Sequence, residues 1–112
     1  MEKVIITLTG RPRPVEIDED EWPILAQAEW EEGEKKLERR VWQLIVRQHE
    51  DGRALVYGVF ETHRRGEHPR RGGELVPAGG DIPEAVHRVA ENLGFDPWLA
   101  EETIGDLPPE EL

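Results

Sequence analysis

At 112 residues the chain has room for one domain with one modest core. Its 25 acidic and 14 basic residues give a formal charge of −11, which favours solubility and disfavours general binding to nucleic acid or an anionic membrane. With no cysteine and no serine, disulfides, thiolate metal sites and cysteine or serine nucleophiles are excluded.

No apolar run approaches the roughly eighteen residues of a membrane span, and Met1-Glu2-Lys3-Val4 lacks the plan of a signal peptide, so a cytoplasmic location is expected. High charge and low hydrophobicity lean towards disorder, but four Trp and several well-patterned segments argue for a folded chain.

Val4–Leu8 reads as a first strand. Thr9-Gly10-Arg11-Pro12-Arg13-Pro14 is a stiff turn, because proline fixes φ and biases the preceding residue towards extended backbone. Val15-Glu16-Ile17 returns as a second strand, completing an N-terminal hairpin. Asp18 with Glu21 has capping-box spacing, which predicts a helix to about Glu29 burying Trp22, Leu25 and Ala26 or Ala28, with Trp30 closing it onto the sheet. Pro23 lies just past the tolerated first turn, so either that turn is irregular or the helix starts later. Glu31–Lys36 is a polar connection.

Val41–Thr62, the densest apolar stretch, reads as a β-hairpin turning at Glu50-Asp51-Gly52. A two-residue loop mixes apolar and polar side chains on both faces. A three-residue loop with Gly52 at the left-handed position separates them better and is the expected register. It places Trp42, Leu44, Val46, Ala54, Val56, Gly58 and Phe60 on one face, towards the core. The other face carries Val41, Gln43, Ile45, Arg47, Leu55, Tyr57, Val59 and Glu61.

Residues 63–73 read as a locally basic loop, followed by a short strand at Glu74-Leu75-Val76. Asp81-Ile82-Pro83-Glu84 is the clearest helix start, with a cap, a first-turn proline and a capping-box glutamate. Ile82, Val86, Val89 and Leu93 then share a face, and Gly94 ends the helix. Asp96-Pro97 opens a last helix to about Glu102, anchored by Trp98 and Leu99. The order is ββ-α-βββ-α-α. The expected fold is α+β: an antiparallel sheet of four to five strands with two or three helices mainly on one face. Residues 1–104 form one domain and 105–112 an acidic, frayed tail.

Thr9-Gly10-Arg11 with Trp22-Pro23-Ile24, Val46-Arg47-Gln48-His49-Glu50-Asp51-Gly52-Arg53 with Val56-Tyr57-Gly58-Val59, and Arg71-Gly72-Gly73-Glu74-Leu75 with Asp81-Ile82-Pro83 are three sets of strings spread over nearly the whole chain. In them the chain resembles a small family of uncharacterised bacterial proteins often associated with plasmids and phages. The resemblance implies a mobile-element or accessory context and carries no catalytic residue.

Two surfaces stand out as candidates. Arg64, Arg65, Arg70 and Arg71, against Glu67, give the basic loop a charge of +3. They could grip phosphate or carboxylate through bidentate forks, with Gly66, Gly72 and Gly73 letting the loop close; the alternative is a solvated loop pairing with an acidic surface. On the second hairpin face Val41, Ile45, Leu55, Tyr57 and Val59 are left without a covering helix if all helices pack on the Trp42 face. That stripe is either an interface or is covered by the first or last helix. His49, His63, His68 and His87 have no metal-site spacing, and no nucleotide, P-loop or nucleophile-elbow motif is present, so no metal, cofactor or catalytic residue is assigned. The expected function is non-enzymatic: binding to an unknown protein partner, with a homodimer as one form and a polyanion-mimic inhibitor as another. The alternative is nucleic-acid or phospholigand binding through loop 63–73.

Overall fold

The computed structural model describes residues 2–110; Met1, Glu111 and Leu112, the ends of the expected domain and tail, lie outside the described residues. The fold is α+β. Strands β1 (Lys3–Ile6) and β2 (Val15–Asp18) form a two-stranded antiparallel sheet. Strands β3 (Ile24–Glu32), β4 (Arg40–Gln48), β5 (Ala54–Thr62) and β6 (Arg70–Val76) form a four-stranded antiparallel meander in chain order. Helices α1 (Ile82–Leu93) and α2 (Pro97–Gly105) pack against that sheet. No helix among the described residues is long and apolar enough to cross a membrane.

The central hairpin has the expected register, with Trp42 opposite Phe60, Leu44 opposite Gly58 and Val46 opposite Val56. His49 N–H donates to the Arg53 carbonyl at 2.9 Å, leaving Glu50-Asp51-Gly52 as a three-residue loop. Gly52 supplies the left-handed backbone there, at φ +96°. The apolar face meets the helices. Leu44, Val46, Ala54, Val56 and Phe60 are buried against Ala85, Val86, Val89, Ala90 and Leu93 of α1 and Leu99 and Ala100 of α2. Asp81 Oδ1 caps α1 by accepting from Glu84 N–H at 3.0 Å, and Gly94 ends it at φ +70°.

The helix expected from Asp18 to Glu29 is instead a turn followed by β3. Asp18 does cap a turn: its Oδ1 accepts from Asp20 N–H at 3.0 Å, and its carbonyl accepts from Glu21 and Trp22 N–H at 3.1 Å each. Pro23 then stops helical propagation, since it lacks an N–H and disfavours helical backbone at Trp22. From Ala26 the residues alternate small or apolar with polar: Ala26, Ala28 and Trp30 pair with Val46, Leu44 and Trp42, while Gln27, Glu29 and Glu31 take the other side. A bulge between Ile24 and Ala26 starts the strand, and the helix-forming Ala, Gln and Glu are overruled by pairing with β4.

The second hairpin face is covered neither by the first nor by the last helix. The N-terminal hairpin and the Trp22 corner lie over it. Ile6, Leu8, Ile17 and Trp22 pack with Leu55 and Tyr57, flanked by Val4, Val15, Ile45 and Val59. Three layers result: helices, four-stranded sheet, two-stranded sheet. Arg47 is buried between the second and third, donating from Nε to Tyr57 Oη and from Nη1 to the Trp22 carbonyl, each at 3.0 Å. At the outer edge of β6, Thr9 N–H donates to the Gly73 carbonyl at 2.8 Å, and Gly73 N–H donates to Thr9 Oγ1 at 3.2 Å. Within 105–110, Gly105 ends α2, Asp106 Oδ2 accepts from Gln27 N–H of β3 at 3.0 Å, and Leu107 packs against the main core.

Candidate functional site

The site candidates from the sequence are dispersed or covered. Leu55 and Tyr57 are buried under the N-terminal hairpin, and Val41, Ile45 and Val59 are half-buried. Loop 63–73 is shorter than expected, because Arg70–Gly73 belong to β6. Neighbours on a strand point to opposite faces, so Arg70 and Arg71 part company. Arg71 pairs with Glu61. Arg64 Nε donates to the Glu38 carbonyl at 2.9 Å, and Arg65 is exposed. Gly72 and Gly73 are buried within the strand. Glu67 is turned inward to Arg40, whose Nε donates to it at 2.9 Å, and accepts from Thr62 Oγ1 at 2.8 Å. Among the described residues no three His, Asp or Glu side chains group as a metal site.

Arg40, and after it Thr62, hold the Glu67 carboxyl below the usual carboxylate range. A carboxyl depressed on folding adds stability above its unfolded value, about 4.3, and that stability is lost as pH falls through the lower folded value. Thermal midpoints of wild type and Glu67→Gln measured from about pH 7 down to pH 3 are therefore expected to converge in acid. A gap that stays constant over that range would show that Glu67 ionisation does not contribute.

What the fold does assemble is an aromatic row. The three registers align Trp30 of β3 with Trp42 of β4, Trp42 with Phe60 of β5, and Phe60 with Arg70 of β6. One side chain from each strand thus stands in line on the helix side of the sheet. Trp42 and Phe60 stack with centroids 5.0 Å apart. The Arg70 guanidinium lies 4.8 Å over the Phe60 ring and 5.8 Å from that of Phe95, and donates to the Leu93 carbonyl at the C-terminal end of α1. The cation suits the negative end of that helix dipole.

The helices end over this row. The turn Gly94–Asp96 and the start of α2 leave a groove of about 760 Å³ lined by Trp30, Trp42, Arg70, Phe95 and Trp98, with Glu32 and Asp96 also in its wall. Asp96 caps α2 by accepting from Trp98 N–H at 2.9 Å, which fixes the first turn and brings Trp98 edge-on to Trp30 at 5.6 Å and 81°. Of the two anchors expected for α2, Leu99 is buried in the core, while Trp98 is 47% exposed, as Trp30 is at 50%. Glu32 is tied to Arg40 at 3.0 Å.

Sequence reasoning missed this site, although Ala26-Gln27-Ala28-Glu29-Trp30-Glu31 carries the strict alternation of a strand and would have aligned Trp30 with Trp42. Chemically the groove offers indole faces, a fixed guanidinium and carboxylates at its rim. Groups of these kinds are suited to non-covalent contact with a ligand. No protein-family model, curated protein or solved structure matches the chain.

Proposed function

We propose that this protein is a non-enzymatic interaction domain that binds another protein through the aromatic groove. The carrying observation is the Trp30–Trp98 pair, two half-exposed indoles in edge contact on an otherwise highly charged chain. Exposed aromatic surface in a concave, polar-rimmed patch is the composition of an interface centre, where tryptophan contributes disproportionately to affinity. The mobile-element setting implied by the sequence resemblance would place the partner among host or element proteins. A charge of −11 suits a polyanion-like inhibitor of a basic partner.

The test is capture from nuclease-treated lysate by wild type, by Trp30→Ala with Trp98→Ala, and by Arg64→Glu with Arg65→Glu. The expected result is a protein retained after nuclease by wild type and by the arginine variant, with at least tenfold less on the tryptophan variant, in line with loss of a hot spot. Thermal midpoints of the variants confirm that they are folded. Equal capture by wild type and the tryptophan variant would sink the reading. Capture lost with nuclease and with the arginine variant would favour nucleic-acid binding through the basic loop instead.

A further inference from the structure

We propose that the groove receives an extended, basic segment of the partner, with one lysine or arginine side chain seated against the Trp30 and Trp98 indoles. The inference rests on the protein-binding reading and adds the chemistry of the partner. The two indoles stand nearly perpendicular and half-exposed, so together they offer walls in two directions. Indole faces attract cations through their quadrupole, and tryptophan does so best among the aromatic residues. The row already holds one cation in this way: Arg70, stacked over Phe60 at its far end.

Charge selects the rest of the segment. Trp98 also lines a second cleft of about 420 Å³, between β3 and α2, whose walls carry Glu29, Glu101, Glu102 and Asp106 and, among the described residues, no Lys or Arg. A chain running out of the aromatic groove over Trp98 enters this cleft. A polyanion would meet four carboxylates there, whereas a basic segment would find a partner for each successive cation. Arg70 lines the far end of the groove: its guanidinium lies over the Phe60 ring, two strand spacings or roughly 10 Å from the β3 end, and donates to the carbonyl end of α1, which offsets its charge. Arginine and lysine also keep long apolar stems that can lie along the Trp42 and Phe95 rings.

The probe is a fluorescein-labelled dodecapeptide of alternating arginine and glycine, titrated against the full chain and followed by anisotropy and by tryptophan emission. Two further peptides carry glutamate or the uncharged citrulline in place of arginine. The arginine peptide is expected to bind saturably and to perturb tryptophan emission, with the other two at least tenfold weaker. Trp98→Ala is expected to weaken it at least tenfold. Glu101→Gln with Glu102→Gln is expected to weaken it several-fold and to flatten its salt dependence. Glu16→Gln with Glu19→Gln, near the N-terminal hairpin, is expected to leave it unchanged.

Equal binding of the three peptides would overturn the proposal, as would arginine-peptide binding indifferent to Trp98→Ala, which would be mere attraction to an acidic surface. Tighter binding of an oligouridylate that Trp98→Ala abolishes would overturn it in favour of base stacking. Self-association abolished by Trp98→Ala, with no peptide bound, would give the groove to a second copy. A partner captured through Trp30 and Trp98 whose contacting segment is acidic or uncharged defeats this inference and leaves the protein-binding reading standing. Equal capture by the tryptophan variant defeats that reading itself.

Discussion

Gly73→Ala is expected to cost about 3 kcal/mol and to lower the thermal midpoint by on the order of 15 °C. A Cβ at this position would lie 2.5 Å from the Val56 carbonyl oxygen, 2.6 Å from Tyr57 Cβ and 2.9 Å from Tyr57 Cα. Two of those atoms are backbone and none is the free end of a flexible side chain, so no rotamer change relieves the clash. Relief requires β5 and β6 to part where Tyr57 faces Gly73. Parting would also disturb the two hydrogen bonds through which Thr9 ties the N-terminal hairpin to Gly73. Gly105→Ala is the matched control: nothing lies within 4 Å of its added Cβ, and a change within about 1 kcal/mol is expected. Thermal melts of both variants decide the matter, and a Gly73→Ala midpoint within a few degrees of wild type would mean that the strands separate far more readily than their packing implies.

Removal of the buried cation on β4 should be comparably damaging. Arg47 is 5% exposed and donates to two neutral acceptors, Tyr57 Oη and the Trp22 carbonyl. Arg47→Ala leaves both acceptors buried without that donor and opens a void under Trp22, an expected loss of about 3 kcal/mol. Tyr57→Phe removes one acceptor only and should cost about 1 kcal/mol. In the Tyr57→Phe background Arg47→Ala should then cost less than it does alone, because one of the stranded acceptors is gone. Urea unfolding of the four proteins measures this directly. Strict additivity would show that the guanidinium–phenol bond contributes nothing to holding the layers together.

The contrast between what was legible in the sequence and what was not has a physical pattern. The central hairpin and α1 could be read because local chemistry and long-range packing agree there. Gly52 permits the one loop that sorts Trp42, Leu44 and Val46 from Arg47 and Gln43, and Asp81, Pro83 and Gly94 mark both ends of a helix whose apolar face matches the sheet. Residues 18–32 misled because the two levels conflict. Asp18 and Glu21 have the spacing of a helix start, and Ala, Gln and Glu favour helix, but β4 has an unpaired edge that only an extended segment can satisfy. That single misreading hid Trp30 from Trp42. Reading Arg70 as loop hid the other end of the row, whose existence depends on three registers at once. For the apolar stripe at Val41, Ile45, Leu55, Tyr57 and Val59 the sequence offers an interface or cover by the first or last helix; the N-terminal hairpin lies there instead, too far away in sequence for periodicity to reveal it.

Each outer strand of the four-stranded sheet is stoppered near its midpoint: β6 at Gly73 by Thr9, and β3 at Gln27 by Asp106. An open edge is where a growing fibril recruits its next molecule. Here an incoming strand would have to displace a hydrogen-bonded plug before it could zip along either side. The N-terminal hairpin and the end of α2 therefore act as guards against templated polymerisation, a safeguard a chain with a strand-rich core requires if it accumulates in quantity.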